Sequence, residues 1–165
     1  MNANEINKIA KNDIFASQIF EGVFSSDTLP QILIKNKCYI MNLDKSTENG
    51  RHWVLFYCTE KGTFYFDSFG NKPQTINVYK SMLASTSQIY YNNIQVQSYY
   101  TTVCGYHTLV FLFLIARGFE MKEILENFYD LTGGLYKNDI FSVRFISEIA
   151  GIEERPIVDL KRVLL

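Results

Sequence analysis

Leu109 to Ala116 reads LVFLFLIA, an unbroken apolar run. It is longer than most strands and much shorter than the ~20 residues of a membrane span. It also lacks the alternation of a half-buried strand, so it is read as a buried central helix that the rest of the chain must cover. Gly118, just after Arg117, supplies a helix stop. On the other side a polar loop, Gln97-Ser98-Tyr99-Tyr100-Thr101-Thr102-Val103, leads into Cys104-Gly105-Tyr106-His107. Thr101 and Thr102 are candidate caps. The helix therefore starts close to Cys104. A helix N-terminus offers unpaired N–H groups and the positive end of the macrodipole, and both favour thiolate over thiol. Cys104 is accordingly the candidate nucleophile.

One domain, residues 1–165, accounts for the whole chain, with no repeat, linker or low-complexity segment. Hydrophobic residues make up 47% and charged residues 20%, an ordinary globular balance. Sixteen basic residues against 17 acidic ones give a net charge of −1, which lends no support to DNA binding. The three cysteines, Cys38, Cys58 and Cys104, match no zinc spacing, and their odd number leaves at least one thiol free. No metal and no cofactor is expected, and a reducing compartment is the simpler setting. Met1 to Lys11 is polar and charged, without an apolar signal core, so a soluble chain made in the cytosol is expected, with no membrane partner.

In order, Glu5 to Lys11 is expected to be helical, with Ile6, Ile9 and Ala10 inward. Phe15, Ile19, Phe20, Val23 and Phe24 form an aromatic-rich stretch against the body, and Ser25 to Pro30 is a turn. Cys38 to Leu43 and His52 to Cys58 read as strands, the second covered on both faces. Glu60-Lys61-Gly62 turns the chain into Thr63 to Asp67 as hairpin partner. Ile76 to Ala84 reads as a helix burying Ile76, Tyr79 and Leu83, and Ile94 to Val96 as a brief strand. Met121 to Tyr129 is a helix with Ile124, Leu125 and Phe128 inward, ended by Gly133-Gly134. A last helix, capped by Asn138 or Asp139, runs through Ile149 with Ile140, Val143, Phe145, Ile146 and Ile149 inward. Glu153 to Leu165 is a charged and then aliphatic tail. The sum is an α+β fold, a small and mostly antiparallel sheet flanked by helices.

Thiol-based acyl transfer needs a nucleophile, a base, a group that orients the base, and donors for the oxyanion. The chain has two histidines. His107 follows Cys104 by three positions on the same helix, which allows contact at roughly 5–6 Å between Cβ atoms but places it in the second turn, where burial is expected. His52 opens a strand, where a side chain can reach a cleft, and is preferred as base. In a hairpin turning at Glu60 to Gly62, His52 and Asp67 come together, and their parity lets them share a face. Asp67 is the candidate orienter. Gln97 is a candidate oxyanion donor alongside the backbone N–H of Cys104. Trp53 is a candidate shield for the imidazole, and Tyr99 and Tyr100 are candidate substrate contacts. Cys38 and Cys58 are read as packing residues.

Gly50-Arg51-His52-Trp53, then Tyr65-Phe66-Asp67-Ser68-Phe69-Gly70, then Gln97 and Cys104-Gly105-Tyr106 resemble the adenovirus maturation protease (adenain) family of cysteine peptidases, over residues 1 to about 150. The resemblance implies a papain-like site reached in the chain order His52, Asp67, Gln97, Cys104, as base, orienter, oxyanion donor and nucleophile. It implies an endopeptidase that processes viral capsid and virion precursors at glycine-containing sites, in the virion or in the host cytoplasm or viral factory, encoded by a virophage or similar element. The wider clan acts on ubiquitin-like modifiers, so a modifier peptidase or an acyltransferase is the alternative. A non-enzymatic binding module, with Cys104 as an ordinary core residue, is the third reading. Adenovirus enzymes are basic and use DNA, whereas this chain is near neutral. They also link to an activating peptide through a cysteine shortly before the glutamine. Ser81 to Ile94 holds no cysteine, so an activating peptide here is expected to bind without a covalent link. A monomer is expected.

Overall fold

Helix α4 (Cys104–Ala116) is the axis of the molecule, and every residue in it except Leu114 and Ala116 is buried. The computed structural model describes residues 1–73, 76–132 and 134–157. Before α4 come α1 (Ala3–Asn12), α2 (Ala16–Ile19), β1 (Phe20–Ser25), β2 (Lys37–Asn42), β3 (Trp53–Cys58), β4 (Thr63–Asp67), α3 (Ile76–Ser85) and β5 (Ile89–Tyr91). After it come α5 (Met121–Thr132) and α6 (Leu135–Ala150). The strands form one sheet in the order β1-β2-β3-β4-β5. Its centre, β2-β3-β4, is antiparallel, and each edge strand is added parallel to its neighbour.

Period-two alternation divides the sheet residues between two cores. Cys38, Ile40, Leu55 and Phe66 face α4, where Phe66 stacks on Phe111 with ring centroids 3.6 Å apart. Tyr39, Met41, Val54, Phe56 and Tyr65 face the other way, onto Val78 and Met82 of α3. The sheet is thus covered on both faces, as its nearly continuous apolar β3 requires. Helix α1 closes the α4 side with Ile6, Ile9 and Ala10, and a reciprocal Asn2–Glu5 capping box fixes its start. Helices α5 and α6 complete that side through Ile124, Phe128, Val143 and Ile146.

Several expectations need correction. Helix α3 buries Val78 and Met82, whereas Tyr79 and Leu83 are exposed; the Ile76 side chain lies outside the described residues. The winning stripe is the one that meets the lower sheet face. Ile94 to Val96 is not a strand. The fifth strand is Ile89–Tyr91, and Val96 and Gln97 instead donate their N–H groups to the Ser68 carbonyl. The stretch at Phe20 to Ser25 is a strand, with Phe15 left exposed before it. Thr101 and Thr102 do not cap α4. Its N-cap is Val103, which has no capping side chain, because Thr101 is hydrogen-bonded elsewhere. Asn138 and Asp139 do not cap α6 either: the helix starts at Leu135 after Gly134, so both lie buried inside it. Ile149 is partly exposed, 40%. Gly133 and the tail from residue 158 lie outside the described residues.

Candidate active site

The β3–β4 hairpin delivers the imidazole and its carboxylate. Val54 pairs with Asp67, so His52, two residues earlier, sits diagonally across from Asp67 just beyond the end of the ladder. His52 Nε2 lies 2.8 Å from Asp67 Oδ1, and the carboxylate is 1% exposed. The same oxygen accepts the Phe69 backbone N–H at 2.8 Å. Asn92 clamps the Asp67 backbone: its Oδ1 accepts Asp67 N–H at 2.9 Å, and its Nδ2 donates to the Asp67 carbonyl at 2.7 Å and to the Ile94 carbonyl at 2.9 Å. The carboxylate is therefore held by covalent and hydrogen-bonded neighbours before the histidine meets it.

Phe69 also packs flat on the His52 ring, with centroids 4.8 Å apart and planes 25° apart. Tyr99 stacks on Phe69 in turn, at 5.3 Å and 19°. The column runs from the partly buried imidazole to the surface, where Tyr99 is 67% exposed and Tyr100 is 45% exposed.

Cys104 is the first residue of α4, buried, with a free thiol. The first-turn N–H groups of a helix have no intrahelical acceptor, and Val103 offers no side-chain cap. Cys104 adjoins His52 closely enough to act on its ionisation. Burial disfavours charge on the imidazole. The hydrogen bond with Asp67 and the neighbouring Cys104 outweigh burial and raise the His52 pKa to about 9. Nδ1, the ring nitrogen that Asp67 leaves over, is buried and has no partner within ordinary hydrogen-bond geometry among the described residues, while the neighbouring Cys104 still acts on the ring.

Gln97 is 1% exposed and held at both ends. Its Oε1 accepts from Ser68 Oγ at 2.7 Å, and its Nε2 donates to the Thr101 carbonyl at 2.9 Å. Trp53 lies across the first turn of α4, with its Nε1 donating to the Met1 carbonyl at 3.2 Å. A Cβ on Gly105 would stand 3.3 Å from Trp53 Cδ1, so a glycine after Cys104 admits the indole.

His107 stands apart from this group, fully buried, with Nε2 2.8 Å from Asp139 Oδ1. Cys38 and Cys58 are buried in strands, and burial pushes the Cys38 thiol up. Among the described residues no group of three His, Cys, Asp or Glu side chains could hold a metal ion, and no helix is long and apolar enough to cross a membrane. A cavity of about 1010 Å³ opens between α1 and the segment after α6, but neither Cys104, His52, Asp67 nor Gln97 lines it.

Sequence reasoning named His52, Asp67, Gln97 and Cys104 and missed Phe69, Asn92 and Ser68 as their supports. Phe69 had a local signal, two residues after Asp67. Asn92 had none, being 25 positions away from the carboxylate it braces.

No protein-family model matches the chain, and no curated protein matches it. Among solved structures, the chain is similar to the ASFV pS273R protease in two crystal structures. The selenomethionine form gives 22% identity and a TM-score of 0.45, over 64% of this chain and 42% of that one. The other gives 20% identity and a TM-score of 0.46, over 64% and 41%. The chain thus corresponds to less than half the length of that protein.

Proposed function

We propose that the chain is a cysteine endopeptidase. The observation that carries this reading is the Asp67–His52 pair beside Cys104 at the N-terminus of α4, with the imidazole pKa raised to about 9. A base held protonated at neutral pH beside a sulfur is suited to an imidazolium–thiolate pair. The Cys104 Sγ attacks the scissile carbonyl carbon, and the developing oxyanion is met by the first-turn N–H groups of α4, with the Gln97 amide as the further donor that the resemblance implies. His52 then passes its proton to the leaving amine, the C–N bond breaks, and a thioester remains. A water attacks the thioester, giving its proton back to His52, and the acid departs as Cys104 is released. Asp67 fixes the tautomer and ring plane throughout.

The finer reading rests on the resemblance of the His-Trp, Asp-Ser-Phe-Gly, Gln and Cys-Gly segments. It makes the substrates capsid and other virion precursors, cut at glycine-containing sequences in the virion or viral factory, by an enzyme from a virophage or similar element. The reading makes the enzyme a monomer that needs neither DNA nor a covalently bound peptide, on its net charge of −1 and the lack of a cysteine from Ser81 to Ile94. The exposure of Tyr99, stacked on Phe69, and of its chain neighbour Tyr100 supports reading them as substrate contacts.

The test is to co-express the chain with the genes beside its own and to map new protein termini by mass spectrometry. Wild type should create termini beside glycine in virion proteins, and Cys104→Ala should create none. Identical termini in both would remove the proposal. Reaction with an electrophile on the C-terminus of a ubiquitin-like protein, with no virion cleavage, would move the substrate to modifiers.

A further inference from the structure

The second histidine–carboxylate pair of the molecule is not idle. His107 and Asp139 have side chains that are 0% exposed, and they sit behind the loop that leads to Cys104. Asp139 reaches that loop directly. Its Oδ2 accepts the Thr101 hydroxyl at 2.8 Å and the Ser98 backbone N–H at 3.2 Å, while its Oδ1 faces His107 Nε2 at 2.8 Å. His107 is pinned from its far side by Ser142 Oγ, 3.0 Å from Nδ1. The preceding helix residue, Asn138, donates to the Val96 carbonyl at 2.8 Å. Helix α6 therefore grips both ends of the Val96–Thr101 segment, and Gln97 lies inside the grip.

Thr101 is the link that matters for the chemistry. Its carbonyl accepts one N–H of the Gln97 amide at 2.9 Å, and Ser68 Oγ donates to the amide oxygen from the other side at 2.7 Å. The amide nitrogen also lies 3.4 Å from Thr101 Oγ1, a hydroxyl held by Asp139 Oδ2 at 2.8 Å and the Ser98 carbonyl at 3.1 Å. Thr101 thus meets the amide nitrogen through two oxygens and Ser68 meets the amide oxygen, so these two residues set the plane of the Gln97 amide.

We infer that Thr101, locked by the buried Asp139–His107 pair, is a positioning residue that aims the Gln97 amide for oxyanion stabilisation. The inference rests on the cysteine-peptidase reading. It assigns Asp139 and Thr101 no contact with substrate, and it separates two properties of the site: sulfur reactivity, set by His52 and Asp67, and oxyanion stabilisation, set through α6.

The two properties are read by two reagents on the full chain. Iodoacetamide alkylates a thiolate without forming an oxyanion, and peptide mapping follows Cys104 among the three thiols. p-Nitrophenyl acetate acylates the sulfur through a tetrahedral oxyanion, and its burst of nitrophenolate reports that step. Thr101→Val keeps the shape and removes the hydroxyl, and Thr101→Ser restores it. Losing one oxyanion donor costs roughly 10²–10³-fold, so Thr101→Val should slow acylation by about tenfold or more. Alkylation should stay within about twofold of wild type because the sulfur's own partners are untouched. Thr101→Ser should recover acylation. Should Thr101→Val fail to fold, Asp139→Asn gives the same comparison. Acylation at the wild-type rate in a folded Thr101→Val protein overturns the inference, as does an equal fall in both rates. Wild-type Cys104 inert to both reagents overturns the peptidase reading itself, and this inference with it.

Discussion

Asp67 Oδ1 accepts two hydrogen-bond donors at the same distance, 2.8 Å: the His52 ring and the backbone N–H of Phe69. One oxygen thus joins the imidazole to the residue whose ring stacks on it. The Asp67 carboxylate and the aromatic cover on His52 are a single local unit, made by three consecutive residues turning out of β4.

Replacing that oxygen tests the unit. Asp67→Asn preserves shape but presents an amide where the charged imidazole needs a carboxylate. The peptidase rate should fall by roughly 10²–10⁴-fold, the range that general acid–base catalysis supplies. The His52 pKa, followed by NMR of the ring protons, should drop from about 9, because the Asp67 hydrogen bond is the largest influence that raises it. An unchanged rate together with an unchanged titration would show that Asp67 is only a strand-end aspartate.

The raised pKa also makes stability depend on pH. Histidine in an unfolded chain titrates near 6.5, and here, against burial, Asp67 and Cys104 push the His52 pKa up to about 9. The folded form binds the proton more tightly, so His52 contributes stability that is fully present below pH ~6.5 and is lost as pH rises through about 9. Urea midpoints should therefore fall between pH 6.5 and 9 more steeply for wild type than for His52→Gln. Parallel curves for the two proteins would contradict the assignment.

Asn92 is expected to be as necessary as its position is inconspicuous. Truncation in Asn92→Ala leaves the Asp67 N–H buried without its partner, whereas the Asp67 carbonyl keeps the Gly70 N–H at 2.8 Å. A stranded buried polar group costs about 1–3 kcal/mol, and urea unfolding should show a loss of at least that size. Peptidase activity should fall with it, since the displaced backbone carries the carboxylate. Stability within about 0.5 kcal/mol of wild type, the range of an ordinary surface change, would mean that water replaces the amide without cost.

The packing of α4 supplies a control far from the chemistry. Phe111 is fully buried between the rings of Phe66 and Phe128. Phe111→Ala should cost about 3–5 kcal/mol in urea unfolding, the range for a large aromatic removed from a core. A smaller loss would show that neighbouring helices collapse into the space.

The sequence was most readable where one signal sufficed. The apolar run at Leu109 to Ala116 located α4, and the two apolar strands around Glu60 to Gly62 located the hairpin that brings His52 to Asp67. It was least readable where two faces competed. Helix α3 carries apolar residues on more than one side, and only the sheet decides that Val78 and Met82 go inward rather than Tyr79 and Leu83. The parallel edge strands are likewise decided by long-range pairing, which has no local period. Asp139 shows a third kind of limit. An aspartate near the start of a helix reads as a cap, yet this one lies five residues inside α6 (135 to 139) and is satisfied by a histidine 32 positions away. Side-chain partners so distant leave no mark in spacing.

The central claim is that His52 activates Cys104. The direct measurement is the rate of iodoacetamide alkylation at Cys104, resolved by peptide mapping from Cys38 and Cys58, in wild type and in His52→Ala across pH 5–10. The account predicts that Cys104 outpaces the two buried thiols at neutral pH, that His52→Ala removes the advantage, and that the wild-type-to-variant ratio falls toward one as pH passes about 9. A Cys104 that reacts at the same rate with and without His52 throughout that range would contradict it.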